Sequence, residues 1–172
     1  NFDIRRPPQF DFTTPDERHH DIALVVHGRK IYASKQYLAL HSPVFEAMFF
    51  GNYDERDQLE IEIKDVVYEE FIELLCVLYP SYEPIKMKSV EFLLNLSDRY
   101  EIKRIIDLAE EFLIDCEKFT VPEKLLFADE YRLYKLQDHC LSFKSMEEVI
   151  DLKTTEEYRE LSETSKVALL EK

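Results

Sequence analysis

Five histidines, three cysteines and 36 acidic side chains are what this chain of 172 residues offers for chemistry. Their spacing does not assemble a reactive centre. His19-His20, His27, His41 and His139-Cys140 match no zinc pattern, which needs ligands paired at short fixed intervals. Turn and surface positions account for them. Cys76, Cys116 and Cys140 each fall near an apolar face and read as small core residues. An odd count at wide spacing makes no disulfide framework and points to a reducing compartment, hence to an intracellular protein, cytoplasmic or nuclear. No nucleophile lies beside a base at a recognisable interval, and the carboxylates form no acid–base pair. Two glycines cannot build a phosphate loop. An enzyme, a cofactor and a metal are therefore not expected. What remains is binding chemistry, in which apolar anchors sit beside charge.

The clearest such place is LHSPVFEAMFFGNYDER, residues 40–56. Ser42-Pro43 opens a short helix, because serine caps and proline suits the first helical position. Phe49 lies one turn after Phe45 and belongs to the core. Phe50 then faces outward, and Gly51 is expected to end the helix as a left-handed cap. Tyr53, Asp54 and Glu55 follow. An exposed aromatic beside a carboxylate could anchor a partner helix and fix its register. From Asp54 to Glu73 there are nine acids against Arg56 and Lys64, which reads first as a solvated face and second as attraction for a basic partner. The net charge of −14 argues against nucleic acid and against anionic membrane as partners. No apolar stretch reaches the ~18 residues of a membrane span, and no leader peptide is visible. The chain opens on Asn1 rather than on Met, as a piece of a longer protein would.

These side chains need elements to position them. Residues 1–20 hold Pro7, Pro8 and Pro15 among Phe2, Ile4, Phe10 and Phe12, and read as an extended arm with apolar anchors. DIALVVHGRKIYA reads as strand, turn, strand, with His27-Gly28 at the hairpin. Ser34 caps a short helix in which Tyr37 and His41 form an i, i+4 pair on a different face from Leu38. LEIEI (59–63) alternates, with Leu59, Ile61 and Ile63 on one face. The next helix carries a stripe of Val67, Phe71, Leu74, Leu75 and Leu78 and stops at Pro80. From residue 89 the pattern is helical throughout. Ile102, Ile105, Ile106, Ala109, Phe112 and Leu113 form a stripe, and Thr120 and Glu123 have capping-box spacing. An internal echo at an offset of 31 relates Leu94, Asp98, Tyr100, Ile102, Ile105, Ala109 and Phe112 to Leu125, Asp129, Tyr131, Leu133, Leu136, Cys140 and Phe143. Each copy predicts a helix, a tight turn and a second helix.

In this order the motifs resemble the BTB/POZ family. Asp21, Val25-Val26, Ala33-Ser34-Lys35 and Ser42-Pro43-Val44-Phe45 stand where that family has an acidic residue, a hairpin, a helix start and a Ser-Pro-x-Phe helix. LEIEIKDVVYEEFIELLCVLYP continues the likeness as strand, acidic turn and helix. Ser34 replaces the usual histidine, and Tyr79-Pro80-Ser81 the usual Tyr-Thr-Gly. Residues 120–144 resemble the helical pair, called the 3-box or the start of a BACK domain, of cullin-3 adaptors of the MATH–BTB, speckle-type group. The resemblance implies an α+β BTB/POZ fold, a small sheet with helical hairpins, followed by an all-α extension. The implied divisions are an arm over 1–20, the BTB/POZ domain over 21–114 and the extension over 115–172. It implies a non-catalytic adaptor that recruits a cullin-3 RING ubiquitin ligase to a substrate protein bound elsewhere in the full-length molecule. The alternative is a homotypic scaffold, transcriptional or cytoskeletal, that binds no cullin. The family's hydrophobic–x–Glu motif falls on Tyr53-Asp54-Glu55, so the implied cullin surface is Phe50, Tyr53, Asp54 and Glu55, with Tyr79, Ser81 and Tyr82 beside it. The implied homodimer interface uses Tyr37 and His41, with Phe10 and Phe12 near the seam.

Overall fold

The computed structural model describes residues 10–51, 58–80, 83–142 and 156–170. The chain divides into two compact units, Asn1–Ile106 and Asp107–Lys172.

The first unit opens on an antiparallel pair, β1 (Ile22–Val26) and β2 (Arg29–Ala33). His27 and Gly28 turn between them with φ of 48° and 77°. Two successive left-handed residues make the tight turn whose twist matches the strands. β3 (Glu60–Glu62) joins parallel to β1, giving the order β2-β1-β3. Ile61 and Ile63 face inward as expected, but Leu59 is 74% exposed. It lies in a bend before the strand, so the alternation starts one residue later than the sequence pattern suggests.

Two short helices lie between β2 and β3: α1 (Lys35–His41) and α2 (Pro43–Phe50). Ser34 caps α1, and Ser42 caps α2 by accepting from the Phe45 amide at 3.1 Å. The buried Ser42 hydroxyl also donates to the Tyr100 carbonyl, so one side chain starts a helix and ties it to a turn 58 residues away. Gly51 ends α2 with φ −66° and ψ −179°. This is extended backbone and not the left-handed cap expected; the chain leaves the helix directly.

α3 (Tyr68–Leu78) buries Phe71, Leu74, Leu75 and Leu78. Val67, assigned to that stripe from the sequence, is 47% exposed. It is the extended N-cap residue, so the helical phase begins at Tyr68, whose ring is buried instead. α4 (Val90–Arg99) leads into α5 (Lys103–Asp115), which crosses from the first unit into the second. The core of the first unit is aromatic in its middle. Phe45 stacks on Phe49 at 5.6 Å and on Tyr100 at 4.7 Å, and Phe71 meets Tyr100 edge-on at 5.8 Å.

The second unit holds α6 (Val121–Tyr131), α7 (Tyr134–Ser142), α8 (Glu156–Glu160) and α9 (Glu163–Leu170). Thr120 and Glu123 form the expected capping box. The internal echo is structural. Glu101 and Arg132, 31 residues apart, are both left-handed, with φ of 52° and 57°. The amide after each bonds back five residues, Ile102 to Ser97 at 2.8 Å and Leu133 to Ala128 at 3.0 Å. This is the Schellman closure of a helix, made twice without glycine. Long-range carboxylates satisfy other helix starts. Glu110, 5% exposed, accepts from the Lys135 and Leu136 amides at 2.7 and 3.1 Å. Asp129 accepts from the Ser162 amide at 2.7 Å, ahead of α9.

Candidate functional site

Two surfaces of the first unit carry the expected binding residues. The first is built on α1. Its sequence, KQYLALH, buries Leu38 and leaves Tyr37 and His41 half-buried. Their rings are 4.8 Å apart, as an i, i+4 pair should be. Tyr37 is anchored from below: its ring lies 4.3 Å from Tyr79, and its hydroxyl donates to the Leu78 carbonyl at 3.0 Å. The arm reaches the same cluster. Phe10 and Phe12 meet Tyr79 at 5.1 and 4.9 Å, and the Tyr32 amide of β2 donates to the Phe12 carbonyl at 2.8 Å.

Two of the residues expected at these surfaces lie inside the cluster. Tyr79, expected beside the docking surface, is only 4% exposed, and its hydroxyl accepts from the Ser34 amide at 3.0 Å. Burial pushes its phenol up to about 12. Phe12, expected near a dimer seam, is 2% exposed. Both rings support the surface from within: Phe12 is held beside β2 through its carbonyl and packs edge-on against Tyr79. His41 is shifted too: partial burial and the nearby Arg104 charge hold its pKa below the ordinary value.

The second surface is the end of α2. Phe49 is fully buried and Phe50 is 51% exposed. Phe50 stands edge-on to Phe49 at 6.4 Å, so its ring rests on the core it leaves. Tyr53, Asp54, Glu55, Ser81 and Tyr82 lie outside the described residues.

One residue escaped the sequence reading. Leu40 is 77% exposed and lines, with Gln36, Tyr37, Ala39, Glu46 and Phe50, a groove of about 490 Å³ between α1 and α2. The signal was available. Leu38 and Leu40 are two apart on a helix and cannot share a face, so burying one exposes the other.

The described part of the acidic stretch, from Glu60 on, behaves as a solvated face. Glu60 pairs with Lys30, Glu69 with Arg29, and Glu62 and Glu73 lie 3.8 Å from Lys64 and Lys86. Exposed pairs of this kind contribute about 0–1 kcal/mol each. Among the described residues no group of histidine, cysteine and carboxylate side chains could hold a metal ion. Cys76 is half-buried, and burial pushes its thiol up to about 11, away from reactivity. No described helix is long and apolar enough to cross a membrane. The surfaces are suited to holding an apolar side chain of another protein.

The family model for the BTB/POZ domain matches residues 12–117. BTB and MATH domain-containing protein 38 of Caenorhabditis elegans is 46% identical over 170 residues, covering 98% of this chain and 44% of the relative. BTB and MATH domain-containing protein 36 of the same organism is 43% identical over 162 residues, covering 94% of this chain and 51% of the relative. The chain thus spans about half the length of these curated relatives. Among solved structures, the BTB domain of human gigaxonin aligns with 23% identity and a TM-score of 0.48, covering 56% of this chain and 79% of that one. From the extent of the family match and the identity to the two nematode proteins, this chain, an α+β protein with a three-stranded sheet, belongs to the BTB/POZ domain family.

Proposed function

We propose that the chain is the self-associating, non-catalytic adaptor part of a cullin-3 RING ubiquitin ligase, with the substrate bound by another part of a longer protein. The observation that supports this most is the reach of the nematode likeness. It runs over 98% of the chain and so includes the helices beyond residue 117, where the BTB match stops. A protein that only self-associates needs the BTB body; the helical pair of residues 120–144 is the part that, by resemblance, distinguishes cullin adaptors. The exposed Phe50, three residues ahead of Tyr53 in the sequence, fits an apolar anchor for a cullin helix, with the net charge of −14 assisting encounter with a basic surface.

A second reading has its own support. The α1–α2 groove with its projecting Leu40 suits association of like copies, which is all that a homotypic scaffold requires. One experiment separates the two. The chain is titrated with an N-terminal fragment of cullin-3 in a calorimeter, and its own association is followed by sedimentation. Saturable heat supports the adaptor. A dimer that gives no heat supports the scaffold and removes the adaptor reading.

A further inference from the structure

We propose that His20 is an acid-sensitive latch: its neutral ring holds the segment over 10–20 against β2, and protonation of the ring lets that segment go. The latch needs neither a cullin nor a second copy.

The segment is pinned to β2 at two places. The Tyr32 amide donates to the Phe12 carbonyl at 2.8 Å, and the Asp21 amide donates to the Ala33 carbonyl at 3.0 Å. β2 lies at the edge of the sheet, so the Phe12 carbonyl satisfies a donor on its outer side. Between the pins the chain turns through Asp16 to His20. The Asp16 carbonyl accepts from the His19 and His20 amides at 3.0 and 2.8 Å. The Asp16 amide donates in return to Nδ1 of His20 at 3.2 Å. The His20 ring lies 6.5 Å from Phe12 and 6.4 Å from Tyr32, the two residues of the first pin.

The Asp16 bond fixes the state of the ring. A backbone amide only donates, so Nδ1 must present a lone pair and the proton sits on Nε2. An imidazolium has no lone pair to present. The carboxylates that would reward its charge are engaged elsewhere. Asp16 holds the side chain and amide of Arg18 and the ring of His19. Asp11 holds Thr13, and Asp21 holds the Lys35 amide at 2.6 Å. His19 opposes a second charge beside it. The Phe12 and Tyr32 rings stand beyond the roughly 6 Å at which a cation gains from an aromatic face. Burial therefore prevails and holds the His20 pKa below its ordinary value. The held form binds fewer protons than the released one, so acid drives release. The half-buried ring lines a recess of about 490 Å³ with Phe10, Asp16 and His19, through which solvent protons reach it. Release opens the Tyr32 amide and the contact of Phe12 with Tyr79.

The test is nuclear magnetic resonance on the full chain. The imidazole nitrogens report the tautomer of His20. Hydrogen exchange at the Tyr32 amide, corrected for its intrinsic pH dependence, reports the hold. At pH 7.5 the Nε2–H tautomer and a protected Tyr32 amide are expected. At about pH 5 the Tyr32 protection should fall about tenfold or more while the β1 amides keep theirs. His20→Gln offers an amide oxygen to Asp16 and does not titrate, so its Tyr32 protection should be equal at the two pH values. His19→Gln removes the neighbouring titration and should keep the fall. An Nδ1–H tautomer at pH 7.5 overturns the latch. So does a wild-type Tyr32 protection that ignores pH, an equal fall in His20→Gln, or the loss of the fall in His19→Gln. A fall shared by the β1 amides is unfolding of the whole sheet and overturns it as well.

Discussion

His41 is a side chain with a titration of its own to report. Its pKa lies below the ordinary 6.5 because burial and Arg104 disfavour the imidazolium. The unfolded chain therefore binds more protons than the folded one just below pH 6.5, and stability falls as pH drops through that window. His20 is shifted the same way, by burial first, and adds to the slope. Thermal melts between pH 7.5 and 5.5 should show the loss. His41→Phe keeps a ring against Tyr37 and should flatten part of it; an unchanged slope would leave His41 without a role. Tyr53 and Glu55 carry a second prediction on binding. Interface energy concentrates in aromatic anchors, and rim carboxylates mainly set register and encounter rate. Tyr53→Ala should cost about 2 kcal/mol of cullin-fragment affinity, read by calorimetry, and Glu55→Ala less, with neither shifting the melting temperature by more than a degree or so. A double variant that binds like the parent would leave Tyr53 and Glu55 without a binding role.

Elements add terms that single side chains do not. Ser42 caps α2 and also donates to the Tyr100 carbonyl inside the core. Ser42→Ala removes both, and denaturant unfolding should show a loss of about 2–3 kcal/mol, the cap and a stranded carbonyl together. Gly28 has open space where a Cβ would go, yet φ is 77°. Gly28→Ala should therefore cost about 1 kcal/mol from backbone strain alone, without a clash. Much at this scale was legible in the sequence. The hairpin at His27-Gly28, the Ser-Pro start of α2, the capping box at Thr120 and the 31-residue echo all rest on local rules that operate over a few residues. The misses occur where a neighbour decides. Leu59 and Val67 fit their stripes by spacing but sit one residue outside the element that would bury them. Gly51 was expected in the left-handed region because glycine permits it, yet its amide closes α2 on the Ala47 carbonyl from extended backbone. Tyr79 and Phe12 are buried against each other, a contact between distant residues that no periodicity announces. Glu110 and Asp129 cap helices from afar for the same reason.

The whole molecule is two compact units joined through one helix, and each should answer for itself. Glu110→Ala leaves the Lys135 and Leu136 amides without their buried acceptor, at a cost of about 2 kcal/mol. Hydrogen exchange should speed up across α6 and α7 while β1 and β2 keep their protection, since local opening follows cooperative units. Equal acceleration everywhere would show that the chain unfolds as one body. Tyr79 has a consequence in optical terms. The chain has no tryptophan and ten tyrosines, so its near-ultraviolet spectrum is largely a tyrosine spectrum. Most phenols turn to tyrosinate near pH 10. Tyr79 holds its proton to about 12, and burial raises Tyr100 as well. Because these folded pKa values exceed the unfolded ones, the stability they lend is lost as alkali carries pH above 10. The last rings to change colour are thus the ones that knit the arm, α1 and the core together, and their early appearance in an alkaline titration would register the loosening of that face with no label attached.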